Sequence, residues 1–357
     1  MKIGIISYWL NRGQGIVGRY LRSIFDELGH DTYVLARPTK DKFDVPRFID
    51  TKDVWNQSGV THASYYDIPL NEYLKWAKDN SLDVAFFDQN YQFEEIAELR
   101  KMGIKTIGRF VWETFSEGHV KDVKKAFDII YSLTKCEQSR YASFGIDSPW
   151  LRWGCHPELN LIRPEKYKDG VYFFYPGGYL SRRKPTKTVI EAFTKVDSPD
   201  IRLIIKVQRK KRHNKLIGEV NNLDSRIRLI SDDISSQEYY KLFSSCNICL
   251  APSRWEGLGL HLYEAIAFGM PIITNNNPPM NEIVENSYNG ILVESHQIGR
   301  AKSGIPAYEP DVDDLSRAIR VLSKQETLNM FAANTDEVRK KFSWDKTVAC
   351  FREILSS

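Results

Sequence analysis

Short apolar runs, each too brief for a helix and bounded by glycines or polar turns, recur along almost the whole chain. This punctuation restricts the fold more than any other feature. In the first half such runs fall at residues 3–7, 32–36, 84–88, 106–112 and 129–133. Between them the spacing is helical. Ile16, Tyr20, Ile24 and Leu28 recur at three- to four-residue intervals and stop at Gly29, and the stretches 94–102 and 137–144 stop at Gly103 and Gly145. Strands that alternate with helices predict βαβ units and a doubly wound parallel sheet. The segment His156-Pro157-Glu158 to Arg163-Pro164-Glu165 interrupts the rhythm and reads as a linker. The alternation then restarts, with strand-like runs at 172–176, 203–207, 227–230, 248–251, 272–274 and 291–293. A chain of 357 residues exceeds one ordinary core. We therefore expect two Rossmann-like α/β domains, at 1–163 and 164–335, and a final amphipathic helix within 336–357.

One strand–loop–helix unit carries chemistry. After the apolar run Asn247-Ile248-Cys249-Leu250-Ala251 comes Pro252-Ser253-Arg254-Trp255-Glu256-Gly257-Leu258-Gly259-Leu260, then an apolar helical run ending at Gly269. A helix that starts just after Gly259 aims free backbone N–H groups at the loop, which suits an anion. Glu256 lies in that loop. Glu264 lies inside the helix among Leu262, Tyr263, Ala265 and Ile266, so it is expected to be buried and to need hydrogen-bond donors. A ribose diol supplies two such donors; a structural ion pair is the alternative.

In order and spacing, the stretch 252–271 resembles the Glu-x7-Glu signature of retaining glycosyltransferases of the GT-B fold, the large family described as glycosyl transferases group 1. Leu258 stands where that signature has an aromatic residue. Asn281-Glu282-Ile283-Val284 and Asn289-Gly290-Ile291-Leu292-Val293 are similar to the family's next blocks. Gly177-Gly178-Tyr179-Leu180-Ser181-Arg182-Arg183-Lys184 resembles its diphosphate-holding block. Lys184 matches the lysine there, Tyr179 stands at the usual arginine, and Arg182 or Arg183 is the candidate replacement.

The resemblance implies two Rossmann-like domains facing across a cleft, with the last helix crossing back to the first domain. It implies transfer of a sugar from a nucleoside-diphosphate sugar, most commonly a UDP-sugar, to a hydroxyl of a glycan or lipid-linked glycan with retained configuration. Lys184, Arg182, Arg183 and Glu256 would serve the chemical step. Gly257, Leu258, Gly259, Leu260 and Glu264 would bind the donor, with Gly13 and Gly15 of the first glycine turn facing its phosphates. Arg109, Trp112 and Glu113 are acceptor-side candidates, although the histidine that the family often has near there is missing. No cofactor and no metal are expected. A sugar-nucleotide epimerase of similar build and a non-catalytic sugar-nucleotide binder are the alternatives.

Bulk properties narrow the partners. A net charge of only +4 argues against a protein built to hold nucleic acid. The basic run 206–213 reads as a solvated loop, leaving peripheral membrane contact open. No apolar segment reaches the roughly 18 to 20 residues that a membrane span needs, and residues 1–7 are too short an apolar run for a signal peptide. Five scattered cysteines fit a reducing cytoplasm, and Cys246 and Cys249 lack the second pair of a zinc site. The Asp311-Val312-Asp313-Asp314 stretch has a metal-binding spacing but precedes a helical run, where acids cap N–H groups. Oligomeric state is not readable from the sequence.

Overall fold

A computed structural model describes residues 1–40, 47–163, 165–208, 224–232 and 234–357. The chain divides into two compact units. Residues Met1–Trp153 and Asp345–Ser357 form one, and Gly154–Trp344 form the other. The linker segment belongs to the second unit: its short helix Pro157–Leu161 follows Cys155, whose backbone N–H donates to Phe342 O at 2.9 Å and whose thiol donates to Tyr263 O at 3.3 Å. The helix Gln325–Lys341 also lies in that unit.

The first unit holds a six-stranded sheet: β1 (Lys2–Tyr8), β2 (Asp31–Arg37), β3 (Val60–His62), β4 (Val84–Asp88), β5 (Lys105–Arg109) and β6 (Ile129–Ile130). All pairings are parallel, in the order β3-β2-β1-β4-β5-β6. Ile3, Ile5 and Ile6 of β1, like Ala85 to Phe87 of β4, are buried, as strands covered on both faces must be. The glycine turn after β1 has a steric cause. A Cβ on Gly15 would sit 2.1 Å from Leu10 O, and one on Gly18 would meet Ser7 Oγ at 2.5 Å. The helix Gly13–Glu27 can approach the sheet only with both positions bare.

The last helix, Trp344–Ser356, completes this unit's core. Its Phe351 is fully buried, with ring centroids 6.0 Å from Phe25 and 5.5 Å from Tyr131. The helix thus returns to the first unit, as the resemblance implied.

The second unit repeats the topology. Its strands β7 (Val171–Gly178), β8 (Ile201–Val207), β9 (Ile227–Ile230), β10 (Ile248–Leu250), β11 (Ile272–Asn275) and β12 (Gly290–Val293) pair in parallel as β12-β11-β10-β7-β8-β9. In both units the first strand is central, and strand order reverses between it and the fourth. A separate antiparallel pair, β13 (Ser295–Arg300) with β14 (Pro306–Pro310), follows β12. Among the described residues no helix is long and apolar enough to cross a membrane. Of the basic run, residues 209–213 lie outside the described residues; Lys206 is buried, its ammonium donating to Val207 O at 2.8 Å and Asp232 O at 2.7 Å.

Candidate functional site

The switch of strand order in the second unit lies between β7 and β10, and ligands of doubly wound sheets gather at the carboxyl ends of such strands. The loops that leave those two ends, 179–185 and 251–259, carry the charged residues singled out above. Lys184 Nζ donates to Glu256 Oε1 at 2.7 Å and to Ser253 Oγ at 2.9 Å; Ser253 Oγ also donates to Glu256 Oε1 at 2.8 Å. Arg183 lies 3.6 Å from Glu256 Oε2. Arg182 is exposed and makes no such approach.

Gly259 has φ 75° and is the N-cap of the helix Leu260–Ala267. That left-handed turn, strained for residues with a Cβ, sets the start of the helix beside the loop. The helix therefore begins where the unit's cations converge.

A second arginine holds the two loops together. The backbone N–H of Arg254 donates to Arg183 O at 2.9 Å, and its NH1 donates to Arg182 O at 2.7 Å. Arg254 Nε pairs with Glu309 Oε2, while Thr188 Oγ1 donates to Glu309 Oε1. Asn275 Nδ2 donates to Ser253 O at 3.1 Å, fixing the second loop from β11. Sequence reasoning passed over Arg254 and Glu309, which are far apart in the chain and meet only through β14.

The electrostatics follow from burial. Burial pushes the Glu256 carboxyl up, but Arg183 and Lys184 outweigh it and hold it well below the usual carboxylate range. Burial lowers the Lys184 ammonium, an effect that Glu256 opposes. The pair remains ionised, and an ammonium has three N–H donors. Two are used, so Lys184 has one left for an incoming anion.

Glu264 is buried in the middle of its helix, with Tyr239 Oη 3.5 Å from its Oε2. Burial first, and the nearby Glu158 second, push its carboxyl up to about 8. It is therefore neutral at pH 7 in the free protein.

The remaining candidates lie in the first unit. Gly13 and Gly15 form the first turn of its first helix. Arg109, expected on the acceptor side, is instead 1% exposed at the end of β5. It bonds Glu137 at 3.1 Å and approaches Asp88 at 3.4 Å, so its charge is spent inside the unit. Trp112 is buried too, and Glu113 is half-buried in the turn after that strand. His119 caps a turn, accepting from Ser116 N at 3.2 Å, and packs against Tyr91, Phe93 and Phe115.

The two units are Rossmann-like, and the second gathers two cations and a carboxylate beside a helix start. Residues 161–325 match the family model described as "Glycosyl transferases group 1". The resemblance carried by residues 252–271 is borne out. An uncharacterized glycosyltransferase of Methanocaldococcus jannaschii is 27% identical over 190 residues, 53% of this chain and 49% of that protein. The chain spans about half the length of the curated relatives it matches. Among solved structures, sucrose-phosphate synthase from Thermosynechococcus elongatus superposes with TM-score 0.75 at 17% identity, covering 100% of this chain and 98% of that one. Anabaena HepE in complex with UDP and glucose gives 0.73 at 13%, covering 100% and 99%. These likenesses establish the GT-B fold.

Proposed function

We propose that the protein is a retaining glycosyltransferase that moves a sugar from a nucleoside-diphosphate sugar, UDP-sugars first, to a hydroxyl of a glycan or lipid-linked glycan. The observation that carries the reading is the convergence of Lys184, Arg183 and Glu256 at the reversal point beside the Gly259 helix start. The solved complex of HepE with UDP and glucose, on the same fold, supports the choice of donor.

In this reading the bond between the anomeric carbon and the diphosphate oxygen breaks as the acceptor oxygen bonds the same face of that carbon. The acceptor's proton passes to a leaving-phosphate oxygen, so no protein base is required. What the chain supplies is charge stabilisation at that phosphate. Lys184 offers its remaining N–H, Arg183 stands beside it, and the N–H groups after Gly259 add the helix terminus. Preorganised donors of this kind contribute roughly 3 to 4 kcal/mol each in the best cases. Glu256 holds sugar hydroxyls, and Glu264 the ribose. Contacts to the acceptor fall to the first unit, in the turn carrying Trp112 and Glu113.

The test is release of free nucleotide from a panel of UDP-, GDP- and ADP-sugars, run with and without EDTA. Release is expected, and expected to survive excess EDTA. The acids with metal-like spacing are already engaged: Asp311 accepts from Asp314 N at 2.8 Å, Asp313 pairs with Lys195 at 2.9 Å, and Asp314 with Arg317 at 2.9 Å. Abolition by EDTA with rescue by manganese would overturn the metal-free reading; no release from any donor would sink the transferase itself.

The Glu264 role has a pH signature. Ribose hydroxyls donate to an ionised carboxylate, so the bound state favours the charged form and donor binding releases its proton. The advantage of wild type over Glu264→Gln in UDP-glucose affinity should therefore be small at pH 6. It should grow to about tenfold above pH 8, roughly 1.4 kcal/mol. Calorimetry at the two pH values checks this, and a ratio that does not change with pH makes Glu264 structural.

A further inference from the structure

His261 is the second residue of the helix Leu260–Ala267 and stands against the charged cluster. Its Nε2 is buried, has no hydrogen-bond partner among the described residues, and lies 3.9 Å from Glu256 Oε1. That oxygen is the one already taken by Lys184 and Ser253. A buried polar atom left unpaired is costly, and such atoms are rare enough to need a reason. A leucine or phenylalanine would fill the same space without that cost.

We propose that His261 is a positioning residue for Glu256: when the donor's diphosphate draws the Lys184 ammonium toward itself, the imidazole takes up a proton and becomes the partner that holds the Glu256 carboxylate. The proposal rests on the donor reading above and adds to it a second ion pair that forms only in the complex.

The charge arithmetic explains the order of events. In the free site Arg183 and Lys184 face His261 as two positive charges, and Glu256 is the single negative one. Burial and those two cations hold the imidazole neutral, with its pKa pushed down to about 3. A bound diphosphate diester brings two negative charges to the same cations. The local sum then turns negative, and a proton on the imidazole is favoured rather than opposed. Its proton comes from solvent, and the carboxylate stays ionised throughout. The step needs only a small approach, because the helix already aims the ring at Oε1.

UDP-glucose without acceptor is the probe, since its diphosphate has no group that titrates near neutrality. Calorimetry at pH 6 in two buffers of different protonation heat counts the protons exchanged. Glu264 releases one in the same event, so the informative quantity is the difference between wild type and variant. His261→Phe, which keeps the bulk, is expected to release about one proton more than wild type. It should also bind about tenfold more weakly at pH 6, with the deficit shrinking by pH 8.5. His261→Asn, which can donate to Glu256 without a charge, guards against a misfolded Phe variant. It should retain part of the affinity and show the same change in proton count. A merely structural histidine would shift affinity equally at both pH values and leave the count alone, and that result overturns the proposal while leaving the donor reading intact. Failure of the wild type to bind any of the UDP-, GDP- or ADP-sugars overturns both.

Discussion

Lys184→Ala should lower turnover a hundred- to a thousandfold, about 3 to 4 kcal/mol in the barrier. Arg182→Ala should lower it less than threefold, and Arg183→Ala should fall between. The ranking follows from placement: Lys184 is bonded inside the cluster with one N–H to spare, Arg183 borders it, and Arg182 points to solvent. Lys184→Ala also deprives a buried carboxylate of its closest cation, and breaking a buried pair costs roughly 3 to 5 kcal/mol of stability. Turnover must therefore be measured where the variant is shown folded by thermal melting. Lys184→Gln, which keeps a donor to Glu256, separates the two effects by restoring stability without restoring rate. Near-full activity in all three alanine variants would mean that the diphosphate sits elsewhere.

Glu256→Gln should have a comparable effect on turnover and the opposite effect on product. The carboxylate is the common partner of Lys184 and Arg183. Neutralising it frees both for phosphate, so UDP should bind at least as tightly as to wild type. Turnover of the intact donor should nevertheless fall about a hundredfold, because the group that holds the sugar hydroxyls is weakened and product leaves more slowly. Calorimetry with UDP and an initial-rate assay with the donor sugar check the two halves. A parallel loss of both affinities would place Glu256 at the phosphate instead of at the sugar.

Much of this was legible in the chain, and what was missed has a common cause. Strands buried on both faces are written as apolar runs, so 84–88 matches β4 residue for residue; 227–230 matches β9 as well, although that edge strand leaves Arg228 exposed. The exposed strand β13 and the short β3 carry no such run and passed unnoticed. The Glu256 loop was readable because its residues are contiguous. Arg109 was misjudged because a strand end says nothing of which way the side chain turns. Its partners are Asp88 on the neighbouring strand and Glu137 on a later helix, and only the sheet order brings them together. Arg254 with Glu309 is the same lesson: long-range pairs leave no local mark. His261 falls inside the apolar helical run that ends at Gly269 and has no local signal of its own; its significance lies in what the ring faces.

The return of the final helix to the first unit has a consequence for synthesis. Residues 154–344 are an uninterrupted stretch, whereas the first unit is split around them. A chain emerging from the ribosome can therefore finish the later unit before the earlier one, since Phe351, which fills the space among Phe25, Phe86 and Tyr131, is made only after residues 154–344. Until then the first sheet waits with an open apolar face. A nascent chain stalled just short of that residue would hold a complete cation cluster on one unit and an unfinished partner on the other.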